Sequence, residues 1–210
     1  MSDLFTNTLP PQTSRLISLF QTTNPNWLKN FYLTGGTALS LILGHRESED
    51  LDFFNRNKFD PIKLQSQLEL VGKLESVEIA QGTVNTYLNG VKLQFLEYPY
   101  KLIKPTISWN KIKISSLIDI ACTKLQTVGM RGSKKDFIDC YFIFKQFELK
   151  ELFKSLKLKY IKTDFSLTHI LKSLVYFDVA EEEPMPRMHQ DISWKKVKEE
   201  IIKTVKTYKI

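Results

Sequence analysis

Apolar and polar positions alternate with two different periods along the chain, and the change of period divides it. Between residues 31 and 98 the apolar residues come in short runs with a period near two, broken by Gly, Asn and Pro, which predicts strands. The runs 31–33, 50–54, 74–80, 83–88 and 91–98 are the expected strands, and Asn89-Gly90 between the last two predicts a type I′ hairpin. Three helices are expected among them. The first runs from a cap at Thr13 or Ser14 to Phe20, before Asn24-Pro25 breaks the chain. The second follows the tight turn Gly35-Gly36, with Thr37 as N-cap and Gly44 as its stop. The third starts at Asp60-Pro61, an acid cap followed by proline at the first helical position, and reaches about Val71.

After Pro99 and Pro105 the spacing changes to three and four, which predicts helices from Ser116 onward with caps at Ser133, Ser166 and Ser193. The aromatic-rich run 137–147 repeats at i,i+4 and i,i+7 and reads as helix core rather than as a platform for stacked bases. Glu181-Glu182-Glu183-Pro184 reads as a linker, and no repeat of solenoid period is present. The pattern is that of an α+β lobe over 1–113 followed by a helical lobe over 114–210.

Composition narrows the class without naming a function. Hydrophobic residues make up 42% and charged residues 25% of the 210, the balance of a folded globular chain. The beginning of the sequence shows no signal-peptide pattern, and no run approaches the apolar length of a membrane span, so a cytoplasmic protein with no membrane partner is expected. Cys122 and Cys140 lie in apolar helical runs away from any zinc-type spacing and are expected as reduced, buried thiols. The net charge of +7 suits a polyanionic partner such as RNA, but 25 of the 30 basic residues are Lys, which A/T-rich coding would also produce. Both readings stand at this point.

Candidate chemistry is concentrated between residues 33 and 52. In a strand, residues i and i+2 share a face, so Asp50 and Asp52 point together while Leu51 and Phe53 turn into the core. Two carboxylates on one face suit a hard divalent cation. Just upstream, Gly35 and Gly36 allow close approach of a ligand to backbone, and the start of the helix at Thr37 presents N–H groups to phosphate. Phosphoryl transfer needs this combination of positioning and charge neutralisation. Either half alone is common; their order as strand, glycine turn, helix and Asp-x-Asp strand is what points to a site.

The segment LTGGTALSLILGHRESEDLDFF resembles the opening motif of the AbiEii/AbiGii toxin-like nucleotidyltransferases, of the polymerase-β-like nucleotidyltransferase superfamily. The resemblance continues through VKLQFLEYPY, SSLIDIACTKL, RGSKKDFIDCYFI and LKSLVYFDVAEEEPMPRM. It implies a nucleotidyltransferase-fold mixed sheet with helices, followed by a C-terminal helical lobe. It further implies transfer of a nucleoside monophosphate from an NTP, with Mg (or Mn), to a hydroxyl of an RNA such as tRNA or of a protein, and a cognate antitoxin as partner. On this resemblance Asp50 and Asp52 are the metal pair, and Gly35, Gly36 and Thr37 form the phosphate-contacting turn. Lys124 is the motif lysine contacting nucleotide, with Asp119 its acidic companion, and Lys135, Asp136 and Asp139 fit a K-D-x-x-D motif near the cleft.

Several of these positions also have plainer readings. Ser116-x-x-Asp119 and Ser133-x-x-Asp136 each have the outline of a capping box, in which the acid only closes a helix start. Asp139 caps nothing and is kept as a catalytic candidate beside Lys124, while Arg46 and Arg131 are kept as phosphate contacts. Lys124 stands about 140° round a helix from Asp119, so its partner must lie elsewhere, and a phosphate would serve. The resemblance also implies an acid in the strand after the hairpin, where this chain has Gln94. Glu97 cannot replace it, because an odd spacing puts it on the other face. An alternative is therefore a catalytically degenerate nucleotide- or RNA-binding module of the same fold.

Overall fold

The computed structural model describes residues 4–161, 163 and 165–208, and the chain separates into two compact units. The first comprises residues 1–100 and 105–116, the second 101–104 and 117–210.

The first unit is built on a seven-stranded mixed sheet. Its strands are β1 (Tyr32–Thr34), β2 (Leu51–Asn55), β3 (Leu74–Ala80), β4 (Thr83–Leu88), β5 (Val91–Glu97), β6 (Ile107–Trp109) and β7 (Ile112–Ile114), in the spatial order β3-β4-β5-β2-β1-β7-β6. The pairs β1–β7 and β2–β5 are parallel and the others antiparallel. Three helices accompany the sheet: α1 (Pro11–Thr23), α2 (Gly35–Leu43) and α3 (Pro61–Glu69).

Register separates the two faces. Leu33, Phe53, Phe95 and Val84 stand level across β1, β2, β5 and β4, all without solvent exposure. Phe53 and Phe95 stack at 5.3 Å between ring centroids, and Phe20 of α1 and Trp27 meet them edge-on at 6.1 and 5.6 Å. Each such buried ring contributes roughly 1.5–3 kcal/mol of transfer free energy, so this aromatic cluster anchors the sheet. The adjacent row, Thr34, Asp52, Gln94, Asn85 and Glu78, is polar throughout and belongs to the opposite face.

Several elements differ from the sequence reading in bounds. Helix α1 begins at Pro11, ahead of Thr13, because Pro10 and Pro11 preset the backbone of the first turn. Thr13 instead donates its hydroxyl to the Glu49 carbonyl at 2.9 Å. Strand β2 starts at Leu51: β1 ends opposite Asp52 as the chain turns into α2, so Asp50 has no partner there. The hairpin at Asn89-Gly90 has the expected positive φ at both residues, 51° and 77°. Asp60 caps α3 by accepting from the Ile62 and Lys63 N–H groups at 3.0 and 3.1 Å. The β6–β7 hairpin was not anticipated; its turn, Asn110-Lys111, takes positive φ of 41° and 74° without a glycine.

The second unit is helical, with α4 (Leu117–Met130), α5 (Lys134–Phe144), α6 (Leu149–Lys159), α7 (Leu167–Ser173), α8 (Asp178–Glu181) and α9 (Trp194–Thr207). Helix α4 packs against α5, α6 and α7, and α5 packs against α9. Phe137, Phe177 and Trp194 form an aromatic triangle with centroid separations of 4.8, 5.7 and 6.0 Å, in keeping with the helix-core reading of that run. Ser166 and Ser193 cap α7 and α9 as expected, each accepting a backbone N–H at 3.2 Å. The stretch expected as a linker is tied down instead: the Glu183 carboxylate accepts the Lys134 backbone N–H at 2.7 Å, and Glu181 accepts the Trp194 indole N–H at 2.9 Å. Both cysteines are free and buried, and burial pushes the Cys122 thiol up to about 12.

Candidate active site

The first unit mounts its candidate site where β1 ends and α2 begins. Gly35 takes φ +69°, a left-handed conformation that lets the chain leave the strand and enter the helix within one residue. Helix α2 therefore starts two residues before the expected cap at Thr37, and its N-cap, Thr34, makes no side-chain capping bond. Asp52 stands opposite Thr34, so its carboxylate lies directly over Gly35: a Cβ there would fall 2.0 Å from Asp52 Oδ2. Only a glycine leaves room for this acid beside the helix start. Gly36 is matched to a cation in the same way, since a Cβ there would come within 2.7 Å of an Arg46 guanidinium nitrogen and 3.1 Å of Ser48 Oγ. Arg46 is almost fully buried, and Nη1 donates to the Glu47 carbonyl at 2.8 Å.

Thr37 sits at none of the positions expected of an N-cap. Its buried hydroxyl donates to the backbone carbonyl of Asp50 and shares a 2.9 Å bond with Ser48 Oγ. The side chain thus straps the segment carrying Asp50 to the first turn of α2. Asp50 and Asp52 are each half-buried, so their carboxylates keep access to solvent. Gln94 is level with Asp52 on the adjacent strand and donates its amide to Asn85 Oδ1 at 3.0 Å, which leaves the carbonyl oxygen of the Gln94 side chain for other partners. Glu97 pairs with Asn55 further along, on the opposite face from Gln94.

The oxygen donors suit a hard divalent cation: the Asp52 carboxylate stands level with the Gln94 amide on the adjacent strand, beside a glycine cradle that a side chain would fill, and Asp50 is half-buried one residue before β2. The set is thin. Among the described residues no group of three or more His, Cys, Asp and Glu side chains converges as a metal site.

The remaining candidates lie in the second unit and form their own network. Lys124 Nζ is 2.8 Å from Asp136 Oδ1 and 2.6 Å from Asp139 Oδ2, with both carboxylates fully buried. The partner that spacing required for Lys124 is thus supplied by the next helix. Arg131 Nε donates to Asp136 Oδ2 at 3.1 Å and Ser133 Oγ donates to the same oxygen at 2.6 Å. Burial pushes the Asp136 carboxyl up, but Lys124, Ser133 and Arg131 outweigh it and hold it below its ordinary value. Ser133 and Asp136 bond to each other through their side chains, so the capping-box reading fails there. Lys135 is exposed, and the Arg131 side chain is 62% exposed.

Asp119 also serves the second unit's own packing. It accepts the backbone N–H groups of Ile103 and Lys104 at 2.9 and 3.1 Å and pairs with Lys159 Nζ at 2.6 Å. The acid therefore pins the 101–104 segment to α4. Lys159 and Ser48 were missed by sequence reasoning, and nothing in their local pattern distinguishes them from the neighbouring surface Lys and Ser residues.

The sheet order, the glycine cradle and the acid opposite it define a nucleotidyltransferase fold. Solved structures agree over nearly the full chain. JHP933 from Helicobacter pylori superposes with a TM-score of 0.56 at 19% identity, covering 94% of this chain and 92% of that one. The nucleotidyltransferase toxin MenT4 from Mycobacterium tuberculosis gives 0.53 at 12% identity, covering 95% and 87%. Residues 18–86 match the family described as "Nucleotidyl transferase AbiEii toxin, Type IV TA system". An uncharacterized protein of Aquifex aeolicus is 40% identical over 187 residues, 85% of this chain and 88% of its own. The chain belongs to the AbiEii nucleotidyltransferase family.

Proposed function

We propose that the protein transfers a nucleoside monophosphate from an NTP to a hydroxyl of an RNA, tRNA among the candidates, or of a protein, and serves as the toxin partner of a cognate antitoxin. The observation that carries this is Asp52 seated over Gly35 at an uncapped helix start, with the Arg46 guanidinium over Gly36. Asp50 and Asp52 would hold Mg (or Mn), which would supply neutralisation of the polyphosphate charge. The N–H groups at Gly35 and Gly36 and the Arg46 guanidinium receive phosphate oxygens. Thr37 positions Asp50 through its backbone carbonyl. In the transfer the acceptor hydroxyl gives its proton to water as its oxygen bonds to the α-phosphorus, the bond from that phosphorus to the bridging oxygen breaks, and pyrophosphate leaves with that electron pair.

Lys124, Asp136 and Asp139 act in this reading as positioning residues that lock α4 to α5 and aim Arg131, while Lys135 and Arg131 meet the polyanion. Charge supports an RNA acceptor. The first unit carries ten basic and ten acidic residues, whereas the second carries 20 basic against 13 acidic and so holds the whole excess. No helix among the described residues is long and apolar enough to cross a membrane.

The test is incubation of the protein with labelled NTPs, Mg²⁺ and total RNA or cell protein. Label should enter an acceptor with the wild type and not with Asp50→Ala/Asp52→Ala; equal labelling by both would refute the assignment. One observation favours a second reading. Gln94 cannot accept the acceptor's proton, so a protein that binds Mg²⁺·NTP by calorimetry yet yields no product would be a binding module rather than an enzyme.

A further inference from the structure

A cavity of about 480 Å³ opens in the first unit beside the C-terminal end of β2, walled by Trp27, Phe31 and Phe59 and rimmed by Lys58 and Lys63. It is separate from the candidate active site. Asn55, which lines it, is three residues beyond Asp52, so it stands roughly 10 Å further along the strand and on the opposite face of the sheet.

Asn55 also gives the cavity wall a polar group. The residue is 4% exposed, and its Oδ1 accepts the Asn57 backbone N–H at 2.9 Å. Its Nδ2 has no hydrogen-bond partner among the described residues. That nitrogen is not sealed in the core, and on the cavity wall a ligand acceptor can meet it. The lining has one carboxylate, Asp60, whose Oδ1 is committed to capping α3, against two exposed lysines. A ligand that satisfies all three features is flat and apolar on its face, carries acceptors at its edge, and bears a negative charge at its rim. The volume falls within the range of small-ligand sites.

We infer that this cavity is a second, non-catalytic nucleotide site, in which a nucleobase packs among Trp27, Phe31 and Phe59, accepts from the Asn55 amide, and places its phosphate at Lys58 and Lys63. The nucleotide is either free or one unit of an RNA strand. The inference stands without the proposed transferase reaction, since none of its residues belongs to the Asp50/Asp52 site.

The experiment follows the Asn55 side-chain amide and the Trp27 indole N–H of the full chain by ¹H–¹⁵N NMR. The protein is titrated with each of the four 5′-NMPs, with a hexaribonucleotide, and with inorganic phosphate. Saturable shifts at both reporters with an NMP or with the hexamer support the site, and the tighter of the two identifies its source. Lys58→Glu/Lys63→Glu, exposed changes checked for unaltered melting, should weaken that binding by roughly tenfold or more. Asp50→Ala/Asp52→Ala should leave it unchanged. Silence at both reporters, equal shifts with phosphate alone, or loss of the shifts in the aspartate variant would each overturn the inference.

Discussion

Replacing Gly35 by Ala isolates the one contact on which the candidate site depends. Two costs combine there. A non-glycine residue at φ +69° meets the steric penalty of the left-handed region, about 1–2 kcal/mol. The new Cβ would also lie 2.0 Å from Asp52 Oδ2 and 2.9 Å from its Cγ, far inside contact distance, so the carboxylate must swing away by more than an ångström. Displacements of that size cost about 10²-fold in rate when they fall on positioned groups. The expected outcome for Gly35→Ala is a modest drop in melting temperature with a loss of labelling activity of about 10²-fold or more, and weakened Mg²⁺·NTP binding by calorimetry. Gly36→Ala is the internal comparison. Its Cβ meets only the end of the Arg46 side chain, at 2.7 Å rather than 2.0 Å, and no positive φ is imposed, so a smaller loss is expected. Wild-type metal–nucleotide affinity in a folded Gly35→Ala protein would show that Asp52 does not act from this position.

Lys124→Met leaves Asp136 and Asp139 buried without their shared cation, so a stability loss of about 3–5 kcal/mol is expected by urea unfolding, against little change for Lys135→Met on the exposed face. Asp136 is held below its ordinary 3.8, so its contribution is complete above that pH and is lost as pH falls through the lower, folded value. The acid limb of a melting-temperature profile should therefore be steeper for the wild type than for Asp136→Asn; parallel limbs would contradict this. Gln94→Asp places a third carboxylate level with Asp52, so Mg²⁺ affinity and labelling should both rise, and no change in either would mean that position 94 does not meet the metal.

The parts of the site that were legible in the sequence are those set by the immediate chain. Glycine at 35 and polar-apolar alternation in β2 act over a few residues, and the structure brings Asp52 to Gly35, whereas Asp50 lies one residue before the strand in which it was expected. The Asn89-Gly90 turn was legible for the same reason, because both residues tolerate the positive φ that it takes. The Asn110-Lys111 turn imposes the same backbone on a lysine, and there the tertiary pairing of β7 with β1 outweighs local preference. A signal that lies in the pairing rather than in the turn cannot be seen along one strand.

Partners of charged groups were the least legible, and the reason is geometric. Helical spacing excluded Asp119 as the partner of Lys124, which is correct: Asp119 pairs with Lys159, 40 residues away. The same spacing could not say that two acids of the next helix converge on Lys124, because that depends on how α4 and α5 pack. With Lys124 enclosed by two carboxylates, its charge is already balanced within the protein, and the cation with access to solvent in that network is Arg131. The motif that appears in sequence as a lysine and two acids therefore presents an arginine outward, and the chemistry of the second unit toward a polyanion is better sought at Arg131 than at the lysine that the motif names.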